Sequence, residues 1–119
     1  MLVNNAAMKL PTMDFDSCLD TMNTNYNGTK RVTEAMLPHV NKGGHIIVMG
    51  SQMGALRFVP SGSKQEKFLS ETTTIEELNE MAREYLQSVH DGSFYDKGWP
   101  RESYGISKTF VHFWAKLMA

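Results

Sequence analysis

The run His45-Ile46-Ile47-Val48-Met49 is a nearly unbroken apolar stretch rich in β-branched side chains, followed at once by Gly50-Ser51. Continuous apolar character without alternation fits a central strand of a parallel sheet, covered on both faces. Upstream, Leu2-Val3 leads into Asn4-Asn5-Ala6-Ala7 and reads as a short buried strand running into a loop punctuated by Pro11. Between the two runs the pattern predicts a helix from about Asp14 to Leu37, with Phe15, Leu19, Met22, Tyr26, Val32 and Met36 on one face. Asp14 and Asp16 suit its positive N-terminal end, and Pro38 with Gly43-Gly44 stops it. Strand, helix, strand in that order is a βαβ crossover, so the first part of the chain is a parallel α/β unit.

The stretch from Ala55 to Pro100 has a different texture. Gly54, Pro60 and Gly62 open a polar segment that reads as irregular. Thr74 and Glu77 then form a capping box, and Leu78, Met81, Ala82, Tyr85, Leu86 and Val89 follow at amphipathic helical spacing until Gly92. Gly98-Trp99-Pro100 marks another turn. A last helix starts near Ser103 and carries Ile106, Phe110, Phe113, Trp114 and Leu117 as a wide apolar stripe. Apolar character begins at residue 2 and the helical pattern runs to the last residues, so both ends read as cut from a longer chain.

Bulk properties narrow the partners. Twelve basic and 13 acidic residues give a net charge of −1, which offers no electrostatic reason to expect nucleic acid or an anionic membrane. No stretch approaches the roughly 20 apolar residues that span a bilayer, and Met1-Leu2-Val3-Asn4-Asn5 lacks the basic lead and long apolar core of a signal peptide. Cys18 is the only cysteine, which excludes an intrachain disulfide and fits a reducing, cytoplasmic compartment.

Four places suggest chemistry. Tyr104 and Lys108 are four apart, so they share a helix face one turn from each other. A phenol is a weak acid at neutral pH, and an ammonium beside it favours the phenolate, which makes the pair a candidate proton donor to a carbonyl oxygen. The same spacing also arises by chance in many helices. Ser51 follows the apolar strand, where open parallel sheets bind ligands, and its hydroxyl can stabilise developing negative charge. It also fits a turn or cap serine. Asn4-Asn5-Ala6 ends the first strand with small or amide side chains that permit close approach of a flat ligand, or simply make a turn. Asn25 is a poor helix former inside a predicted helix. Its side chain, or a carbonyl freed by a kink, is suited to hold a water; it also fits an exposed polar position, and Asn23 and Asn27 are equally available by composition.

Taken in order, Asn4-Asn5-Ala6-Ala7 after a strand, Asn25-Tyr26-Asn27-Gly28 in the next helix, a strand ending in Gly50-Ser51, and Tyr104-Gly105-Ile106-Ser107-Lys108 on a helix resemble the short-chain dehydrogenase/reductase family over most of the chain. The resemblance implies an α/β fold: part of a Rossmann-like, doubly wound parallel sheet, with residues 1–119 forming a partial dinucleotide-binding domain. The long stretch between Ser51 and Tyr104 is similar to the insertion of the carbonyl reductase group, here residues 60–100, which places an inserted helix before the Tyr-x-x-x-Lys helix. That group implies a monomeric reductase that uses NADPH to convert aldehydes, ketones or quinones to alcohols. In it Asn25, Ser51, Tyr104 and Lys108 would be catalytic. Tyr104 would give the proton, Ser51 would orient the carbonyl, Lys108 would assist the phenol and hold the nicotinamide ribose, and Asn25 would hold a water leading to Lys108. Asn5, Tyr104 and Lys108 would contact the cofactor, and the Met8-Lys9-Leu10 and Met53–Pro60 loops would shape substrate choice.

The match departs in places. Ala7 stands where the family has Gly, and Gly50 where Ser is common. No G-x-x-x-G-x-G turn, which would cradle the pyrophosphate at a helix N-terminus, is present in the 119 residues. The sequence therefore allows a fragment of an active reductase, a truncated non-catalytic product acting as an interaction module, or another chemistry of the same family such as epimerisation or dehydration. With few strands, such a chain is expected to be marginally stable.

Overall fold

A computed structural model describes the whole chain, residues 1–119. Strands β1 (Leu2–Asn4) and β2 (Ile46–Val48) pair in parallel, with Leu2 opposite Ile46, Val3 opposite Ile47 and Asn4 opposite Val48. Side chains alternate across a strand, so Leu2, Asn4, Ile46 and Val48 share one face. Helices cover that face: Asn4 Nδ2 donates to Thr33 Oγ1 at 3.0 Å, and Ile46 and Val48 line a cleft with Leu37 and Trp114. Val3 and Ile47 point the other way and are 45% and 41% exposed, while on the helix side Leu2, Asn4 and Val48 are half-buried and Ile46, at the start of β2, is still 38% exposed. The expectation of a strand covered on both faces is therefore met on one face only, because these residues supply helices to a single side of a two-stranded sheet.

The predicted helix between the strands exists but is not uniform. It runs as α1 (Phe15–Met22), a π-helical stretch (Asn23–Gly28), α2 (Thr29–Met36) and a 3₁₀ turn (Leu37–His39). Asp14 caps its start by accepting the Ser17 N–H at 3.1 Å. The π stretch coincides with Asn-Thr-Asn-Tyr-Asn-Gly, whose residues have weak α-helical preference. Past it, the inward positions are taken by Thr29 and Thr33, while Val32 and Met36 face outward, 48% and 43% exposed. Both threonine hydroxyls are satisfied, Thr33 by Asn4 and Thr29 by donating to the Asn25 carbonyl at 2.9 Å. A hydrophobic stripe cannot reveal that arrangement.

Residues 52–58 form two 3₁₀ turns, Gln52–Gly54 and Leu56–Phe58. Helix α3 (Gly62–Leu69) lies where the sequence reads as irregular. Ser61 caps it by accepting the Lys64 N–H, and only Phe68 is buried, so no apolar periodicity announces it. Helix α4 (Ile75–Asp91) begins with the expected Thr74–Glu77 capping box and ends at Gly92, whose φ of 77° is the left-handed geometry glycine supplies at a helix end. Helix α5 (Ser103–Met118) closes the chain.

One core joins these pieces. Leu78, Ala82, Tyr85 and Val89 of α4 pack with Cys18 and Met22 of α1 and with Phe110 and Trp114 of α5. Trp99 is fully buried at their junction, 5.3 Å from the Tyr85 ring and 5.8 Å from Phe110. The segment before α5 is thus part of the core that fixes α5 in place. No helix is long and apolar enough to cross a membrane.

Candidate active site

Helix α5 is laid along residues 49–54 at the end of β2, and three side chains of its inner face bind that backbone. Lys108 Nζ donates to the Met49 carbonyl at 3.0 Å, Thr109 Oγ1 donates to the Gly54 carbonyl at 2.8 Å, and His112 Nε2 accepts the Ser51 N–H at 3.0 Å. The approach depends on a missing side chain: a Cβ on Gly54 would lie 2.8 Å from Lys108 Cβ and 2.9 Å from its carbonyl carbon. Lys108 is almost fully buried, 5% exposed, with its ammonium at the strand end.

Ser51 sits at the start of the 3₁₀ turn, and its Oγ accepts the Met53 N–H at 3.2 Å. That bond uses an oxygen lone pair and leaves the hydroxyl proton available for an incoming acceptor. Tyr104 lies in the first turn of α5. Glu102 accepts its N–H at 3.2 Å, and its carbonyl accepts the Ser107 hydroxyl at 2.7 Å. Two ammonium groups flank the half-buried ring, Lys108 Nζ at 5.8 Å and Lys9 Nζ at 5.7 Å from the centroid, within reach of the ring's electrostatic field.

Asn25 joins this helix to the loop after β1. Its Oδ1 accepts the Met8 N–H at 2.8 Å, and its Nδ2 donates to the Met8 carbonyl at 2.8 Å and to Ser107 Oγ at 2.9 Å. The side chain is fully buried. The structure therefore brings Ser51, Tyr104 and Lys108 to one helix–strand-end junction and makes Asn25 the brace beneath it. Asn5 is exposed and opens into a different cleft, of about 290 Å³, shared with Gly28 and Arg31. A second cleft of about 340 Å³, with Met53, Phe58, Val59, Pro100 and Ile106 on its walls, begins beside the Tyr104 turn.

Sequence reasoning missed two contributors and the role of a third. Ser107, three residues after Tyr104, links Asn25 to the Tyr104 carbonyl. His112, one turn after Lys108, holds Ser51. Lys9, expected only as part of a loop shaping substrate choice, supplies the second cation. For the first two the signal was helical spacing from the Tyr–Lys pair; nothing local marked Lys9 as a neighbour of the Tyr104 ring.

The family described as short chain dehydrogenase matches residues 1–63 by its sequence profile. The chain belongs to the short-chain dehydrogenase family. Among its relatives, carbonyl reductase [NADPH] 1 of Oryctolagus cuniculus is 34% identical over the whole of this chain, and that of Homo sapiens is 34% identical over 93% of it. The chain spans less than half of these proteins, 45% and 42% of their lengths. Among solved structures, the menthone neomenthol reductase of Mentha piperita superposes with a TM-score of 0.82 at 30% identity, covering 88% of this chain and 38% of that one. The salutaridine reductase of Papaver somniferum reaches the same TM-score at 22% identity and speaks for the fold. The α/β architecture with its parallel sheet is that of short-chain dehydrogenase reductases.

Proposed function

We propose that this chain carries the proton-transfer half of an NADPH-dependent carbonyl reductase acting on aldehydes, ketones or quinones. The observation that carries the reading is the row of bonds from α5 to residues 49–54, which sets Lys108 and Ser51 beside the Tyr104 turn. NADPH is taken from the names of the relatives. The residues present suit its nicotinamide-ribose end: the Lys108 ammonium uses one donor on Met49 and has two more to offer, and Asn5-Ala6-Ala7 is exposed with little side-chain bulk. When bound, NADPH supplies the hydride that the family's reaction requires.

The chain's own groups do the rest. Ser51 donates a hydrogen bond to the substrate oxygen, keeping its proton, and stabilises the charge that grows there. Tyr104 delivers the proton that completes the alcohol. Lys108, fixed by the Met49 carbonyl, places positive charge beside the phenol and binds ribose hydroxyls. Asn25 keeps the first turns of α5 at a set distance from the β1 loop; its carbonyl, which already accepts the Thr29 hydroxyl, is the proposed water-holding group on the route to Lys108. The apolar cleft at Phe58 and Val59 accommodates the body of an aromatic or alicyclic carbonyl compound. Helix α4 spends its apolar face on α1 and α5, which favours a monomer, and the lone cysteine, Cys18, fits a reducing, cytoplasmic compartment.

The test is a chimaera in which residues 1–119 replace the matching stretch of the Oryctolagus cuniculus carbonyl reductase. The expected result is NADPH oxidation dependent on an added aldehyde or quinone. A folded chimaera that binds NADPH and reduces none of these would contradict the proposal.

A further inference from the structure

We infer that His112 is a positioning residue for Ser51, gripping the serine's backbone N–H through an unprotonated imidazole nitrogen and thereby fixing the turn that aims its hydroxyl. The inference rests on the reading of Ser51 as the site's hydroxyl. A ring nitrogen that accepts a hydrogen bond has no proton of its own, so the bond from Ser51 to Nε2 at 3.0 Å requires a neutral ring with its proton on Nδ1. The ring lies in a slot between two glycines. A Cβ on Gly50 would fall on Nε2 and Cδ2, and a Cβ on Gly54 would come within 2.8 Å of Cε1. Side chains at 50 or 54 would therefore push the ring off Ser51, which gives the Gly50-x-x-x-Gly54 spacing a reason other than backbone flexibility.

The grip reaches the hydroxyl in one step. Ser51 is extended, with φ −154° and ψ 145°, and its Oγ bonds the Met53 N–H within the same turn. Holding the Ser51 amide on one side, with the Met53 N–H on an Oγ lone pair on the other, fixes the position of Oγ and keeps the hydroxyl proton turned away from Met53. The neighbouring bonds from α5 hold the ends of the turn, Lys108 at Met49 and Thr109 at Gly54; of the three side chains, His112 is the one that bonds the serine, whose carbonyl also accepts the Gly54 N–H within the turn.

Protonating the ring replaces the acceptor with a donor that faces the Ser51 N–H, so the grip opens in acid. The charge that reaches the ring is the Lys108 ammonium on the same helix, and residues 49–54 packed against it contain no ionisable side chain. Burial first, and Lys108 second, hold the His112 pKa below the ordinary 6.5, with a smaller opposing contribution from the Gly54 backbone. The grip is therefore closed at neutral pH.

The test uses the 119-residue chain labelled with ¹⁵N. Long-range proton–nitrogen correlations at pH 7.5 should show His112 protonated on Nδ1 only, with the Ser51 amide proton shifted downfield. On acidification the Ser51 and Met53 amides should move together with the His112 ring, with a midpoint below 6.5. His112→Gln, whose side-chain oxygen can accept the same N–H, should keep the neutral-pH shifts and lose their dependence on pH. His112→Leu should move both amides at every pH; should that variant not fold, the titration of the unaltered chain and of His112→Gln decides. A proton on Nε2, or Ser51 and Met53 amides that ignore the His112 titration, overturns the inference. Neither readout involves NADPH, so an inactive chimaera with an intact titration would refute the reductase reading and leave the grip standing.

Discussion

Asn25→Ala is the perturbation whose cost follows most directly from the structure. The fully buried side chain makes three hydrogen bonds, two to the Met8 backbone and one to Ser107. At about 1 kcal/mol net per bond, their loss costs about 3 kcal/mol. The upper end of the unsatisfied-group penalty does not apply in full, because Met8 is half-buried and Ser107 keeps its bond to the Tyr104 carbonyl. A domain of this size has on the order of 5–15 kcal/mol in total, so the loss is a large share of it. In urea, with a slope of about 1–3 kcal/mol/M, the unfolding midpoint should fall by about 1–3 M. Ser107→Ala removes one of these three bonds and also the Ser107 bond to the Tyr104 carbonyl, two in all, and should cost about 2 kcal/mol. Asn25→Asp keeps the acceptor for the Met8 N–H but turns a second oxygen toward the Met8 carbonyl and buries charge, so it should cost more than the alanine despite its shape. An Asn25→Ala midpoint within 0.3 M of the parent, or about 0.5 kcal/mol at the slope assumed, would refute the claim that Asn25 braces β1 to α5.

Other outcomes follow from single features. Gly54→Ala sets a Cβ against Lys108 and should destabilise by about 1–3 kcal/mol, the usual cost of overpacking, read by the same unfolding curves. Thr74→Ala removes half of the capping box of α4 and should cost about 1 kcal/mol. Because the folded His112 has a depressed pKa, the folded chain binds fewer protons than the unfolded chain in mild acid; the resulting stability is full above pH 6.5 and lost as pH falls through the folded value, so His112→Gln should flatten the acid limb of a melting-temperature profile. Burial drives the phenols of Tyr26 and Tyr85 well above the ordinary 10.0. Phenolate absorbance of the folded chain at pH 11 should therefore exclude these two tyrosines, and their stability contribution should fade as pH rises above 10.0, since the unfolded phenols ionise first.

The parallel βαβ order, the capping box at Thr74, the stop at Gly92 and the Tyr104–Lys108 pair were legible because each is written in a local spacing. The parts that were not legible depend on distant partners. The strand His45–Met49 reads as doubly covered from its own composition, but the cover on the Val3–Ile47 side is not among these residues. Thr29 and Thr33 turn inward because the Asn25 carbonyl accepts the Thr29 hydroxyl and Asn4 Nδ2 donates to Thr33 Oγ1, which no hydropathy pattern encodes. Helix α3 rests on a serine cap and one buried phenylalanine. In the site, Ser51, Tyr104 and Lys108 were named from sequence, but Asn25's partners were not: an asparagine with weak helical preference signals a kink, whereas its bonds to Met8 and Ser107 exist only once α5 crosses the β1 loop. His112 stayed invisible for the same reason, since its partner lies across the fold at the end of β2.

Turnover by the chimaera and its Tyr104→Phe variant reads directly whether the residues gathered by α5 transfer a proton to a carbonyl oxygen. Tyr104→Phe should still bind NADPH, weakened by no more than the loss of one hydroxyl contact, and lower kcat by about 10²–10⁴, the range expected for loss of a positioned proton donor. A Tyr104→Phe chimaera that reduces the same aldehyde or quinone within twofold of its parent would contradict that transfer.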